Sequence, residues 1–134
     1  MQTVTPTFSK KERVASRKLT DTLFRPGNSK SMVAYPLRVV YRCQGRAEGD
    51  PPVQVLLSVS KRHFKRAVDR NRVKRQLREA YRHSKRLVWE PLAGREGEAL
   101  VLAFIWLSDE LKPSATVADS MARLLTRVAE RVQR

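Results

Sequence analysis

Apolar residues recur at helical spacing towards both ends of the chain and at every second position in between. Near the N-terminus Ser9 offers a helix cap with Glu12 three residues later, and Val14, Leu19, Leu23 and Phe24 supply an imperfect apolar stripe. Pro26-Gly27 then ends the element, so the spacing predicts a first helix from Ser9 to Phe24. From Ser31 to Gln44 the period falls to two. Leu37, Val39, Tyr41 and Cys43 alternate with Arg38, Val40, Arg42 and Gln44, as in a strand with one buried face. Pro36 puts this strand, or its first half, at an edge or a bulge. After the loop "QGRAEGDPP", Val53, Val55, Leu57 and Val59 define a second half-buried strand, expected to form a hairpin with the one before.

The second half holds four further features. Val73, Leu77, Ala80, Ser84 and Leu87 lie on one side of a helix at about 100° per residue. "LVWEPLAGREGE" reads as irregular. "ALVLAFIWL", Ala99 to Leu107, reads as a strand buried on both faces and therefore central. Val117, Met121, Leu124, Leu125, Val128 and Val132 then form the stripe of a last amphipathic helix. With no repeat or linker, the order is helix, two or three strands, helix, strand, helix around one sheet. The chain is expected to form one domain over residues 1–134, with residues 1–8 as a flexible arm.

Charge changes this picture. Lys and Arg number 28 against 13 Asp and Glu, a net charge of +15 on 134 residues. Such self-repulsion is relieved by a polyanion, with nucleic acid the first candidate and an anionic membrane the second. Between Lys61 and Arg86 there are 12 Lys or Arg against Asp69 and Glu79, so a net +10 sits in that segment. On the helix, Asn71, Lys74, Arg75, Arg78, Arg82 and Lys85 fall opposite the apolar side. A solvated face is the competing reading, but ordinary solvated faces mix signs, and like charges at i,i+4 destabilise by about 0.2–0.5 kcal/mol per pair. Arg outnumbers Lys on this stripe, and its planar fork suits phosphates and bases, which favours structured RNA over a membrane. Phe24, Tyr35 and Tyr41 are candidate stacking surfaces, each with burial in the core as its alternative.

Other chemistries find little support. Cys43 is the lone cysteine and the two histidines, His63 and His83, lie within the basic segment, so no metal-ligand spacing is recognisable. There is no Gly-rich phosphate loop, no nucleophile–histidine set and no carboxylate cluster for a two-metal nuclease. No side chain of the protein is assigned a catalytic role, and no metal is assigned to the protein alone. The N-terminus lacks a signal-peptide core, and the longest apolar run, nine residues, is about half a membrane span, so a soluble, cytoplasmic protein is expected. A DNA-binding module is disfavoured because a strand, not a helix-turn-helix partner, precedes the basic helix.

The segment "SVSKRHFKRAVDRNRVKRQLREAYR", Ser58 to Arg82, resembles the signature of the protein subunit of bacterial ribonuclease P: a strand ending in S-x-S-K-K, a short turn, then A-V-x-R-N-R-x-K-R-x-x-R-E. "FSKKERV", Phe24 with Gly27, the strand at 99–107 and the last amphipathic helix agree with it, so the resemblance covers nearly the whole chain. It implies an α+β fold, an α/β sandwich whose mostly antiparallel four-stranded sheet carries three helices in the order α-β-β-β-α-β-α, with a left-handed βαβ crossover where the general rule gives a right-handed one. It also implies a holoenzyme in which a catalytic RNA, with Mg²⁺ held mainly by that RNA, removes the 5′ leader of precursor tRNA. The partners implied are the ribonuclease P RNA and precursor tRNA, with no membrane and no small-molecule substrate.

Carried over by residue, Arg70, Asn71, Arg72, Lys74, Arg75 and Arg78 match the family's arginine-rich helix that contacts the catalytic RNA. Lys61 and Arg62 match the basic pair ending the preceding strand, and Lys65, Arg66 and Arg82 extend the same RNA-binding surface. Phe24 matches an aromatic of the leader-binding cleft, and Tyr35 or Arg38 falls in the region of a strand aromatic there. The chain departs from the pattern at "KRHFKRAV", where Phe64 stands near the usual Gly with one extra residue. It departs again at Thr20, one turn before Phe24, where a second cleft aromatic is expected, and at Leu56-Leu57, where a Gly is usual. A structural RNA-binding protein, ribosomal or an assembly factor, is the alternative function.

Overall fold

The structure, a computed structural model, describes residues 8, 10–13, 17–46, 48–95 and 97–132. A 3-10 turn at Lys10–Glu12 leads to α1 (Arg17–Phe24), β1 (Lys30–Ala34), β2 (Leu37–Gly45), β3 (Val53–Ser58), α2 (Ala67–Ser84), α3 (Arg86–Ala93), β4 (Glu98–Trp106) and α4 (Ser114–Val132). The class is α+β, with the strands ordered β1-β2-β4-β3 in one sheet. β1–β2 and β2–β4 are antiparallel and β3–β4 is parallel.

Alternation along the strands gives the sheet two unequal faces. Leu37, Val39, Tyr41, Val53, Val55, Leu100, Leu102, Phe104 and Trp106 are buried on the larger one, against Val73, Leu77, Ala80 and Tyr81 of α2 and Val117, Met121, Leu124, Leu125 and Val128 of α4. The smaller face carries Val40, Val101 and Ala103 under Leu23 of α1, with Leu56 and Ile105 partly buried beside them. β4 is therefore apolar at consecutive positions because both of its faces are covered, as its unbroken run requires.

Four expectations are corrected. The strand at 31–44 does not pair with the one at 53–59: β4 lies between β2 and β3. β4 can cover both faces and pair on both edges, so it outcompetes the shorter-range hairpin. The 31–44 segment itself is two strands, folded back at Tyr35-Pro36, whose peptide bond is cis. The "irregular" stretch contains α3, a fourth α-helix despite its internal Pro91, because Val88 and Leu92, four residues apart, bury fully against the core. Finally, Lys85, which helical spacing alone sets on the cationic side, is buried and paired with Glu12, itself 3% exposed. Ser9 and Val14 lie outside the described residues.

Candidate nucleic-acid interface

The basic segment begins at the end of β3, where the chain must turn onto the large face. Ser60 organises the turn: its carbonyl accepts from the amides of His63 and Phe64 at 3.2 and 3.4 Å, and its hydroxyl accepts from the amide of Arg62 at 3.1 Å. Phe64 is buried and packs at 6.4 Å between ring centroids against Trp106. The bulky side chain thus anchors the turn from inside. Arg70, one turn into α2, closes it from outside by donating to the carbonyls of Phe64 (2.8 Å) and Lys65 (2.9 Å). His63 Nδ1 meets Asp109 Oδ1 at 2.7 Å, tying the same turn to the β4–α4 connection.

Around this anchor the cations point outward. Lys61, Arg62, Lys65, Arg66, Asn71, Arg72, Arg75 and Arg78 are exposed, and Arg70, Lys74 and Arg82 are half-buried. Arg75 and Arg78 form no hydrogen bond or ion pair with the described residues, whereas Arg82 donates to Glu79 Oε2 at 2.8 Å. That hydrogen bond holds the Glu79 carboxyl below its usual range, and the charge of Arg82 is correspondingly shared. Like-charge neighbours at 70/74, 74/78 and 78/82 cost about 0.2–0.5 kcal/mol each. Burying Val73, Leu77 and Tyr81 gains about 1.5–3 kcal/mol for each side chain, so packing on the sheet, not a bound anion, holds the helix in place.

Two residues missed by the sequence reading join this surface. Arg13 pairs as an isolated bridge with Val55 at the β3 edge, with its guanidinium 5.3 Å from the Phe8 ring centroid. Together with Lys74 and Arg78 they border a cavity of about 200 Å³ floored by Val55, Leu56 and Leu57. No periodicity marks Phe8 and Arg13, because what places them is an edge pairing some 42 residues distant in sequence, from Arg13 to Val55.

The proposed cleft residues separate. Phe24, 42% exposed, ends the helix that lies on the small face. Arg38 is exposed between Val33 of β1 and Ile105 of β4, and donates weakly to Ser31 Oγ at 3.4 Å. Tyr35 is 60% exposed at the β1–β2 turn, where Lys112 Nζ sits 5.6 Å from its ring centroid and Ser120 of α4 donates to its carbonyl. Tyr41 is buried and offers no stacking surface. Thr20 is half-buried on α1. Among the described residues no three of His, Cys, Asp and Glu gather as a metal site. Among them, too, no helix is long and apolar enough to cross a membrane.

These features define a class: an α+β protein in which a parallel strand–helix–helix–strand unit displays a basic turn and an arginine-rich helix on a four-stranded sheet. A family model described as Ribonuclease P matches residues 8–128. The ribonuclease P protein component of Porphyromonas gingivalis strain W83 is 46% identical over 129 residues, covering 95% of this chain and 91% of that protein. In fold the chain is similar to the Staphylococcus aureus RNase P protein, with a TM-score of 0.65 and 17% identity over 87% of this chain and 94% of that one. It is likewise similar to the Thermotoga maritima RNase P protein solved with 1-(4-fluorophenyl)-2-thiourea, with a TM-score of 0.60 and 24% identity over 84% and 97% of the two chains. The chain belongs to the ribonuclease P protein family.

Proposed function

We propose that the chain is the protein subunit of a ribonuclease P holoenzyme, binding the catalytic RNA through the turn at Lys61–Arg66 and the exposed face of α2, and holding the 5′ leader of precursor tRNA near Phe24 and Arg38. The observation that carries this reading is the exposed, uncompensated set around Arg72, Arg75 and Arg78 in a chain of this family. Its chemistry is electrostatic. Cations neutralise phosphates where RNA strands approach one another, which lowers the Mg²⁺ concentration the RNA needs and favours precursor, with its leader, over mature tRNA. Reacting oxygens and metal ions belong to the RNA in this reading, and no protein side chain takes part in bond cleavage. The place of action is the cytoplasm.

The test is to add the protein to a bacterial ribonuclease P RNA at low Mg²⁺ with a labelled precursor tRNA. Stimulated, accurately placed 5′ maturation is the expected result. Binding to the RNA without stimulation would overturn the reading and leave a structural RNA-binding protein. If six to eight phosphates are neutralised, log affinity falls with log salt at a slope of roughly −4 to −7, and a slope near −1 would rule out the electrostatic account.

A further inference from the structure

A second cationic site lies at the other end of the sheet. β1 begins only at Lys30, opposite Tyr41, while β2 runs on to Gly45, so the edge of β2 past Tyr41 is left uncovered by β1. A cavity of about 370 Å³ occupies this place, lined by Asn28, Lys30, Tyr41, Arg42 and Cys43 together with Arg95, Glu98 and Arg131. The carboxylate of Glu98 is already engaged, 3.4 Å from Arg95 Nη1, which also donates to the carbonyl of Val132 at 2.5 Å. Lys30, Arg42 and Arg131 have no ion pair among the described residues. Tyr41 adds a hydroxyl that burial keeps protonated, and Asn28 adds an amide, so the lining is rich in donors and poor in free acceptors.

We propose that this cavity is a phosphate-binding site that takes a phosphodiester of RNA. Three free cations around a concave, donor-lined space fit a phosphate oxygen set better than a neutral ligand. The site is separate from the basic turn: β4 starts at Glu98 beside the cavity and ends at Trp106 against Phe64, a span on the order of 27 Å for nine residues. One folded RNA can engage both ends. That the phosphate is RNA's rests on the function proposed above; the phosphate affinity of the cavity does not.

Cys43, exposed and the chain's single cysteine, lines the cavity and reports on it locally. The experiment follows its alkylation by iodoacetamide in the full chain, alone and with saturating pyrophosphate, ribonuclease P RNA or precursor tRNA, for the parent and the Arg42→Gln/Arg131→Gln variant, each first shown to be folded by circular dichroism. Pyrophosphate should slow alkylation of the parent about fivefold or more, because the thiolate is the reacting form and a neighbouring anion suppresses it, and the variant should lose this protection. At least one RNA should protect likewise, and the variant's RNA-binding salt slope should shrink by about 1 for each phosphate it no longer neutralises. Equal alkylation with and without pyrophosphate, or protection undiminished in the variant, overturns the site. Protection by pyrophosphate but by neither RNA overturns RNA as its occupant. Protection by RNA in a preparation that does not stimulate cleavage upholds the site and overturns the subunit reading instead.

Discussion

Lys85 Nζ lies 2.8 Å from Glu12 Oε1 with both side chains almost wholly buried, joining the N-terminal 3-10 turn to the junction of α2 and α3 across 73 positions of sequence. The same ammonium sits 4.5 Å from the ring centroid of Trp89. Lys85→Met leaves the Glu12 carboxylate buried without this partner and should cost about 3–5 kcal/mol by urea unfolding. Adding Glu12→Gln to that variant should recover most of the loss. A single variant that loses under about 1 kcal/mol would mean the pair contributes little to the docking of the N-terminal segment.

Tyr81 accepts a hydrogen bond from Trp89 Nε1 at 3.0 Å and is fully buried, which pushes its phenol far above the ordinary value of 10.0. In the unfolded chain that phenol ionises normally, so above about pH 10 the unfolded state binds fewer protons than the folded one, and stability falls as pH rises. The slope from this residue approaches about 1.4 kcal/mol per pH unit. Tyr81→Phe should lose about 1 kcal/mol at neutral pH yet show a shallower decline between pH 9.5 and 11 in roughly parallel urea titrations. An unchanged alkaline slope would show that Tyr81 does not carry it.

Arg70 and Arg75 should separate stability from binding. Arg70→Ala removes the donor to the Phe64 and Lys65 carbonyls and should lower stability by about 1.5 kcal/mol as well as weaken RNA binding. Arg75→Ala, with no partner among the described residues, should leave the urea midpoint unmoved and reduce the magnitude of the salt slope by about 1. Equal stability loss in both would contradict the division. Arg82→Ala should weaken RNA binding less than Arg75→Ala, because Glu79 already shares its charge.

Phe24 and Leu23 are adjacent but face different tasks. Leu23→Ala opens a gap over Val40, Val101 and Ala103 and should cost about 2–5 kcal/mol. Phe24→Ala, at an exposed position, should stay within about 0.5 kcal/mol of the parent in stability. Its expected effect is a reduced preference for precursor over mature tRNA in competition binding. Unchanged preference would remove Phe24 from the leader site.

Much of the interface was legible in the one-dimensional pattern because a basic helix face depends on local spacing: Val73 and Leu77 turn inward, and Arg75 and Arg78 are thereby left outside. The family resemblance at Ser58–Arg82 could be read for the same reason, as a contiguous motif. Lys85 defeated that logic. Helical spacing put it on the cationic side, but the chain bends into α3 there, and a carboxylate from the distant N-terminal turn meets it inside the protein. Phe64 likewise looked like a misfit for a glycine turn until Trp106, 42 residues on, supplied the wall it packs against.

By itself the sequence determined which residues alternate, which repeat at helical spacing and where charge accumulates, since each depends on neighbours within a few positions. It determined that Ala99–Leu107 is central, because a strand apolar on both faces has to be covered on both. Only the tertiary structure decided that β4 separates β2 from β3, that Pro91 sits inside a helix, and that Lys30, Arg42 and Arg131 surround one cavity. Those outcomes depend on competition among pairings far apart in the chain, where total burial outweighs local propensity.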